Sequence, residues 1–450
     1  MRHIVLLLLV ASSLSRATAA TRPRYGGTLR VALSAAPISL DPATQSDLVN
    51  PRNISRLIFD TLVVLDDRGD TQPGLATSWQ AEPGNQRWHF ALRKNVTFQD
   101  GTALRSDLVA ASLRAASSSW KIFPAGDSVV IESDTPDAIL PAELALSRYS
   151  IAKRAGSKVV GSGPYAVLQW DPGKKLVLVA RDDYWNSRPF VDTIEIDLGR
   201  NLRDQMIAFD VGKADVIEVA PEQAHHVSMD NRHVELSSPD ELMALVFARD
   251  PQSQDEARLR QALSASIDRG ALSHVLFQGG AEPAASLLPN WMTGYGFLFP
   301  TRADAERVRQ VREESNQTSP WSLSYDTNDP VARVVAERLA LNARDMSLAL
   351  QTTASSAADI RLLRLPLASI DSRVSLARLA AGLGLPQPKY SGGSIEDLYT
   401  AESTLLGAGR VVPLLHIRTA VGIGPAVRNW SADRMGTWQL PDVWLGAEKP

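Results

Sequence analysis

Strand-like and helix-like stretches alternate along this chain of 450 residues, and the alternation predicts an α/β fold. The strand evidence is a period-two pattern, as in Trp88, Phe90 and Leu92 or in Ile194, Ile196 and Leu198, which puts apolar side chains on one face. The helix evidence is Val331, Val335 and Leu339 at i, i+4, i+8 behind Asp329-Pro330, a favourable N-cap and first-turn pair. Composition is the third observation. With 44% hydrophobic residues the chain can bury ample core, and its length gives two or three domains. No internal repeat or low-complexity linker divides the sequence, so interwoven domains are expected.

The first element is a secretory signal. "MRHIVLLLLVASSLSRATAA" has a basic start at Arg2, a short apolar core from Ile4 to Val10 and a small-x-small cleavage site at Ala17-Thr18-Ala19. That core falls well short of the ~20 apolar residues a membrane span needs. "GGTLRVAL" (26–33) reads as a strand between glycines. Pro37 and Pro42 hold the next stretch as an extended loop, and Ile54 to Leu65 carries helix-compatible apolar spacing up to the "DDRGD" turn. "QRWHFALRKNVTF" (86–98) is a strand. It is followed by a glycine turn and a helix with Leu108, Ala111 and Leu113 near one stripe. "YAVLQWDPGKKLVLVAR" (165–181) is two β-rich runs about Pro172-Gly173, a hairpin. "NLRDQMIAFDVGKADVIEVA" reads as a helix, a stop at Gly212 and a strand, and "LALQTT" (348–353) is a further strand.

The absence of cysteine excludes disulfides, thiolate metal sites, a cysteine nucleophile and a lipidated cysteine after the signal. Removing the signal leaves 45 basic against 50 acidic residues, a net charge of about −5 with no electrostatic footprint for nucleic acid. No H-E-x-x-H or P-loop occurs. "GSGPY" (161–165) is not a nucleophile elbow, because Val160 stands where G-x-S-x-G needs glycine. His225, His226 and His233 form a histidine-rich stretch. Adjacent histidines on a helix point ~100° apart, which favours a solvated face over a shared metal ion. Neither a metal nor another cofactor is expected. An enzyme would need a Ser-His-Asp set assembled from distant segments.

Several stretches, in order, resemble the solute-binding proteins of peptide and nickel ABC importers, solute-binding protein family 5. They are "YGGTLRVAL…ISLDPA", "IFDTLVVLDDRGDTQPGLATSWQ", "WHFALRKNVTFQDGTAL", "VGSGPYAVLQWDPGKKLVLVARDDYW", "ARLRQALSASIDRGAL", "NDPVARVVAERL" and "WQLPDVWL". The resemblance covers nearly the whole chain after the signal. It implies a two-lobed periplasmic-binding-protein fold, class II, with a small β-rich insert. Lobe I would comprise 24–58, 160–240 and 410–450, the insert 59–159, and lobe II 241–409. It also implies a small-molecule or peptide-like ligand held between the lobes, an ABC permease as partner, no enzymatic activity, a monomer, and a periplasmic or secreted location. The alternatives are a diverged clamp serving as sensor or scaffold, and an unrecognised hydrolase.

The resemblance places Pro37, Ile38 and Ser39 near the ligand cleft. By alignment Ala368 stands where the peptide binders carry the aspartate that meets the peptide α-amine. Phe247-Ala248 stands for a Phe-Asn pair that reads peptide backbone. Arg361 and Arg364, on the strand "ADIRLLRLPL", are candidates to bind a carboxylate. Asp371 is a substitute acid and His416 a contact on the C-terminal strand. Trp430 and Trp438 could form an aromatic wall.

Overall fold

The computed structural model describes residues 22–446, apart from 45, 46, 157, 230, 231, 316–320, 356 and 391. The signal-like stretch and its cleavage site lie outside the described residues. Among these, no helix is long and apolar enough to cross a membrane.

One mixed sheet runs through the molecule. Its strands are β1 (Thr28–Ala32), β2 (Tyr165–Asp171), β3 (Lys175–Ala180), β4 (Thr193–Asp197), β5 (Val216–Val219), β6 (His233–Phe247), β7 (Ala281–Pro283), β8 (Trp321–Ser324), β9 (Leu350–Thr352), β10 (Ile360–Pro366) and β11 (Val411–Ile423). Their spatial order is β2-β3-β4-β1-β5-β11-β6-β10-β8-β9, with β7 branching onto β11. β1 is parallel to β4 and β5, and β8 is parallel to β9 and β10. The Pro172-Gly173 hairpin forms as the sequence predicts, pairing β2 and β3 antiparallel.

Among the described residues, only β6 and β11 extend from one half of the sheet into the other. Their outer ends, His233–Leu236 on Ile423–Ala420, lie beside β5, whereas Glu241–Phe247 pairs with Pro366–Ile360 of β10. Between these halves the register of β6 on β11 shifts on either side of Pro239. Proline supplies no N–H to a ladder, and such bulges bend a strand. Side chains brace the break. Thr419 donates its N–H to Ser237 Oγ (2.8 Å) and its hydroxyl to Asp240 Oδ2 (2.8 Å), and Arg418 Nη1 donates to the Ser237 carbonyl (2.9 Å).

Separate cores lie on either side of this break. One gathers Leu29, Ile58, Tyr165, Ile194 and Ile196 with Ile423 and Trp438. The other half holds two, around Leu245, Leu263 and Val335 and around Leu242, Leu288 and Leu376. A further core, with Phe90, Val109, Leu113 and Ile131, fills a four-stranded antiparallel sheet of Ala76–Ala81, Arg87–Leu92, Ser128–Ser133 and Trp120–Ala125.

Two helices differ from expectation. α1 (Val49–Ile58) starts earlier and ends well before Leu65. Val63–Leu65 is instead a short strand paired with Thr71–Pro73, closed by Gly74, whose backbone N–H bonds the Leu62 carbonyl (3.2 Å). In α2 (Ser106–Ala116) the buried stripe is Val109, Ala110 and Leu113, and Ala111 faces solvent. The periodicity is the expected one, rotated by a residue or two. α3 (Leu202–Asp210) runs to the Gly212 stop, and α4 (Pro330–Asp345) begins as predicted, with Asp329 accepting from Val331 N–H (2.9 Å) and Ala332 N–H (3.2 Å). α5 (Ser372–Gly382) follows β10.

Candidate ligand cleft

Two hollows lie where the halves of the molecule meet. The larger, about 460 Å³, is bounded by Ser34, the first turn of α1 and Glu218–Glu222 on one side, and by Glu241, Asp329–Val331 and Arg364 on the other. Arg418–Ala420 of β11 reaches both. Both of its arginines are already ion-paired, and five carboxylates line it. Glu218 accepts from Gln205 Nε2 (2.8 Å), the Ser34 hydroxyl (3.0 Å) and N–H, and the Asn50 amide. Arg364 donates to Glu241 Oε2 from Nε (3.1 Å) and to Asp329 Oδ2 from Nη1 (3.0 Å). Arg418 pairs with Glu282. An anion entering here would have to displace a carboxylate that already holds Arg364.

The smaller hollow, about 20 Å³, is enclosed where three parts of the chain converge. These are Arg52 and Arg56 of α1, Ala145–Ser147 of the β-rich insert, and Ala368–Ile370 after β10, with Asp433, Met435 and Thr437 completing it. Arg52 is 5% exposed and bridges the halves, donating from Nη2 to the Met435 carbonyl (2.8 Å) and from Nη1 to the Leu367 carbonyl (3.3 Å). Among the described residues its Nε has no partner, and neither has the hydroxyl of buried Ser147. Asp433 Oδ1 is occupied by the N–H groups of Met435 and Thr437 (both 2.9 Å). Burial and the neighbouring Arg52 charge lower the pKa of Arg56, while Asp433 opposes them.

The residues expected from sequence separate. Ala368 lines the small hollow and Arg364 the large one. Pro37, Ile38 and Ser39 line neither. Ile38 is largely exposed, and the Ser39 hydroxyl accepts the Asp41 N–H (3.1 Å) within its own loop. Phe247 is core, 1% exposed, edge-on to Trp321 and under the Arg260 guanidinium. It sits six residues beyond Glu241, or about 20 Å along the strand. Ala248 follows it, gives its N–H to the Asp359 carbonyl (2.8 Å) and lines neither hollow. Arg361 is exposed on β10 and outside both hollows. Asp371 caps α5, accepting from the N–H groups of Arg373 and Val374 (both 2.9 Å). His416 is 3% exposed and bonded to the Leu287 carbonyl (3.1 Å), and burial pulls its pKa down to about 4. It is a satisfied core histidine. Trp430 and Trp438 pack together, ring centroids 5.8 Å apart, in the core beside α1. His225 and His226 are exposed on a short helix, and no group of residues that could hold a metal occurs among the described residues.

Arg52, Arg56 and Ser147 escaped the sequence reading. The signal was present in α1, where two arginines at i, i+4 share a face with Ser55 and Asn53 at its flank and not with the solvent side.

Residues 70–358 match the model for bacterial extracellular solute-binding proteins, family 5, middle region. The chain belongs to that family. Its similarity to the probable D,D-dipeptide-binding periplasmic protein DdpA of Escherichia coli K12 is 23% identity over 341 residues, covering 67% of this chain and 65% of DdpA. The fold is that of solved structures in the family. With NikA of Staphylococcus aureus in complex with Ni(L-His)2 the TM-score is 0.75 at 18% identity, over 93% of this chain and 99% of that one. With DppA of Helicobacter pylori in complex with the peptide STSA it is 0.76 at 17% identity, over 94% and 99%. The family members share the two-lobed α/β architecture, and here the strand break at Ser237–Asp240 falls between the two halves of the sheet.

Proposed function

We propose that this protein is the extracytoplasmic substrate-binding component of an ABC importer of the peptide/nickel class. It captures a small solute between its lobes and delivers it to a membrane permease. The observation that carries this reading is the pair of long strands, β6 and β11, which join two separately cored lobes through one braced break beside the inter-lobe hollows. Lobes with independent cores can rotate as rigid bodies while a few residues at the break absorb the change, the geometry of hinge closure. Closure removes water from the ligand and strengthens its polar contacts.

In this reading lobe I comprises 24–58, 160–240 and the chain from Arg418 onward, the insert 59–159 and lobe II 241–409 together with Val411–Ile417, which pack in its cores. The protein is exported through the signal at its start, is cleaved near Ala19, works as a monomer in the periplasm or outside the cell, and performs no chemistry on its ligand. Capture of a peptide by its α-amine is disfavoured. Ala368 supplies no carboxylate, and an ammonium buried without one carries a penalty of several kcal/mol. The small hollow that Ala368 lines is bordered by two arginines and one carboxylate, Asp433, whose Oδ1 is taken by two backbone N–H groups.

Native mass spectrometry of protein purified without denaturant tests the binding role. A bound mass of small-solute size, lost after unfolding and refolding, is expected. A bare polypeptide that also fails to associate with any permease on co-purification would overturn it.

A further inference from the structure

We infer that Arg52, Arg56 and Ser147 form a carboxylate-binding subsite in the enclosed inter-lobe hollow, so that the solute this clamp carries presents an anionic carboxyl group there. The inference rests on the clamp reading above. It depends on polar atoms that lack partners inside the protein.

Three such groups converge. Arg52 Nε is buried and unpaired although both terminal nitrogens of the same guanidinium are used. The Ser147 hydroxyl, on a side chain 7% exposed, is likewise unpaired. Arg56, half-buried one turn beyond Arg52, makes no hydrogen bond or ion pair among the described residues. All three residues line the same hollow. Buried polar groups are nearly always satisfied, and an unsatisfied set around one space implies an occupant that supplies acceptors. Arg52 Nε, the Arg56 fork and a hydroxyl are all donors, so the occupant is an acceptor.

Charge and size narrow its chemistry. The ionisable residues lining the hollow are Arg52, Arg56 and Asp433, leaving one positive charge in excess. Asp433 is already counted in that balance, and its Oδ1 is held by two backbone N–H groups. One monoanion completes the balance. The space, about 20 Å³ against the ~10–15 Å³ a single water needs, holds no more than the head of a small anion. A carboxylate also matches the planar arginine fork. The rest of the solute would then lie outside this hollow, reached through the lobe boundary.

This assignment inverts the polarity expected at the position of Ala368. Where an aspartate would meet a cationic amine, two arginines wait for an anion.

The test uses N-acetyl-L-alanine and its uncharged amide as probes, with refolded, solute-free protein at matched ionic strength. Binding is followed by calorimetry and by the rise in melting temperature. N-acetyl-L-alanine is expected to bind and its amide is not. Arg56→Gln is expected to weaken the carboxylate probe roughly 10- to 100-fold, the loss of a charge-assisted hydrogen bond, and Ser147→Ala by roughly 3- to 10-fold. Without probe, Arg56→Gln is expected to melt no lower than the parent, since it removes a cation pressed against another cation. A purely structural arginine would lower it. Equal binding of probe and amide overturns the inference, as does a response to inorganic phosphate that exceeds the response to the carboxylate. If neither probe binds while the low-mass material released from the native protein still does, the subsite is refuted and the clamp stands. If that material does not rebind either, the clamp reading itself fails.

Discussion

Asp240 sits at the strand break, 1% exposed, with one oxygen on the Thr419 hydroxyl and the other unpaired. Burial pushes its carboxyl up to about 7, against the pull of Thr419 and Arg52 and with the help of neighbouring Glu241. Between about pH 4 and pH 7 the folded protein therefore holds a proton that the unfolded chain has released. Stability is present at the low end of that window and falls as pH rises through it, the reverse of a salt-bridged aspartate. Asp240→Asn should match the parent near pH 4.5 and exceed it by ~2–4 kcal/mol above pH 7. Urea melts at pH 4.5 and 8 check this, and a pH-independent difference would contradict it. Glu143 is also pushed up to about 7, mainly by burial, and His416, lowered to about 4 by burial, acts with the opposite sign below pH 6.5. Only the difference between variant and parent isolates Asp240. At this scale the sequence was least legible. Arg364 looks the same in a sequence whether free or held by Glu241 and Asp329, and those partners lie 123 and 35 residues away. His416 reads as a contact until Leu287, 129 residues distant, closes over it.

Elements were more legible, because their signals are local. The Asp329-Pro330 start of α4 and the Pro172-Gly173 hairpin formed where spacing and turn chemistry put them. Asp329 does double duty, capping α4 and pairing with Arg364 at the edge of the larger hollow. Asp329→Ala should cost about 1–2 kcal/mol through the lost cap, measured by denaturant titration, and Asp329→Asn, which keeps a capping oxygen, should recover most of it. No difference between the two would leave the cap without weight. "GSGPY" has a structural explanation that its letters do not disclose. A Cβ at Gly161 would lie 1.9 Å from the Ile58 carbonyl oxygen, and one at Gly163 2.5 Å from the Ile58 carbonyl carbon. The end of α1 rests directly on this backbone. Beside it Asp60 accepts from the Ser162 hydroxyl (2.9 Å), Tyr184 hydroxyl (2.9 Å) and Trp185 indole (3.0 Å). Gly161→Ala must push two backbones apart and should destabilise the protein by more than ~3 kcal/mol. Gly126→Ala, at an exposed turn with open space around it, should lose only about 1 kcal/mol through its positive φ. Thermal melts giving the two variants equal losses would remove close packing as the reason.

At the scale of the whole molecule, family resemblance supplied what local periodicity could not. Alternating strands and helices indicate α/β organisation but not which strands share a sheet. Here β1 is joined to partners more than 160 residues away. The lining of the small hollow was hidden for the same reason, being drawn from α1, the insert, the segment after β10 and the C-terminal loop. In the proposed function the lobes close about Ser237–Asp240. The chain has no cysteine, so two introduced thiols report on it alone. Ile207→Cys on α3 and Val334→Cys on α4 are exposed, on helices whose first turns flank opposite sides of the larger hollow. Spin labels there, read by pulsed dipolar spectroscopy, give the distance between lobes directly. It should be short and narrow in natively purified protein, longer or broader after the bound solute is stripped by unfolding and refolding, and restored when the released low-mass fraction is returned. One unchanged distribution in all three samples would contradict hinge closure.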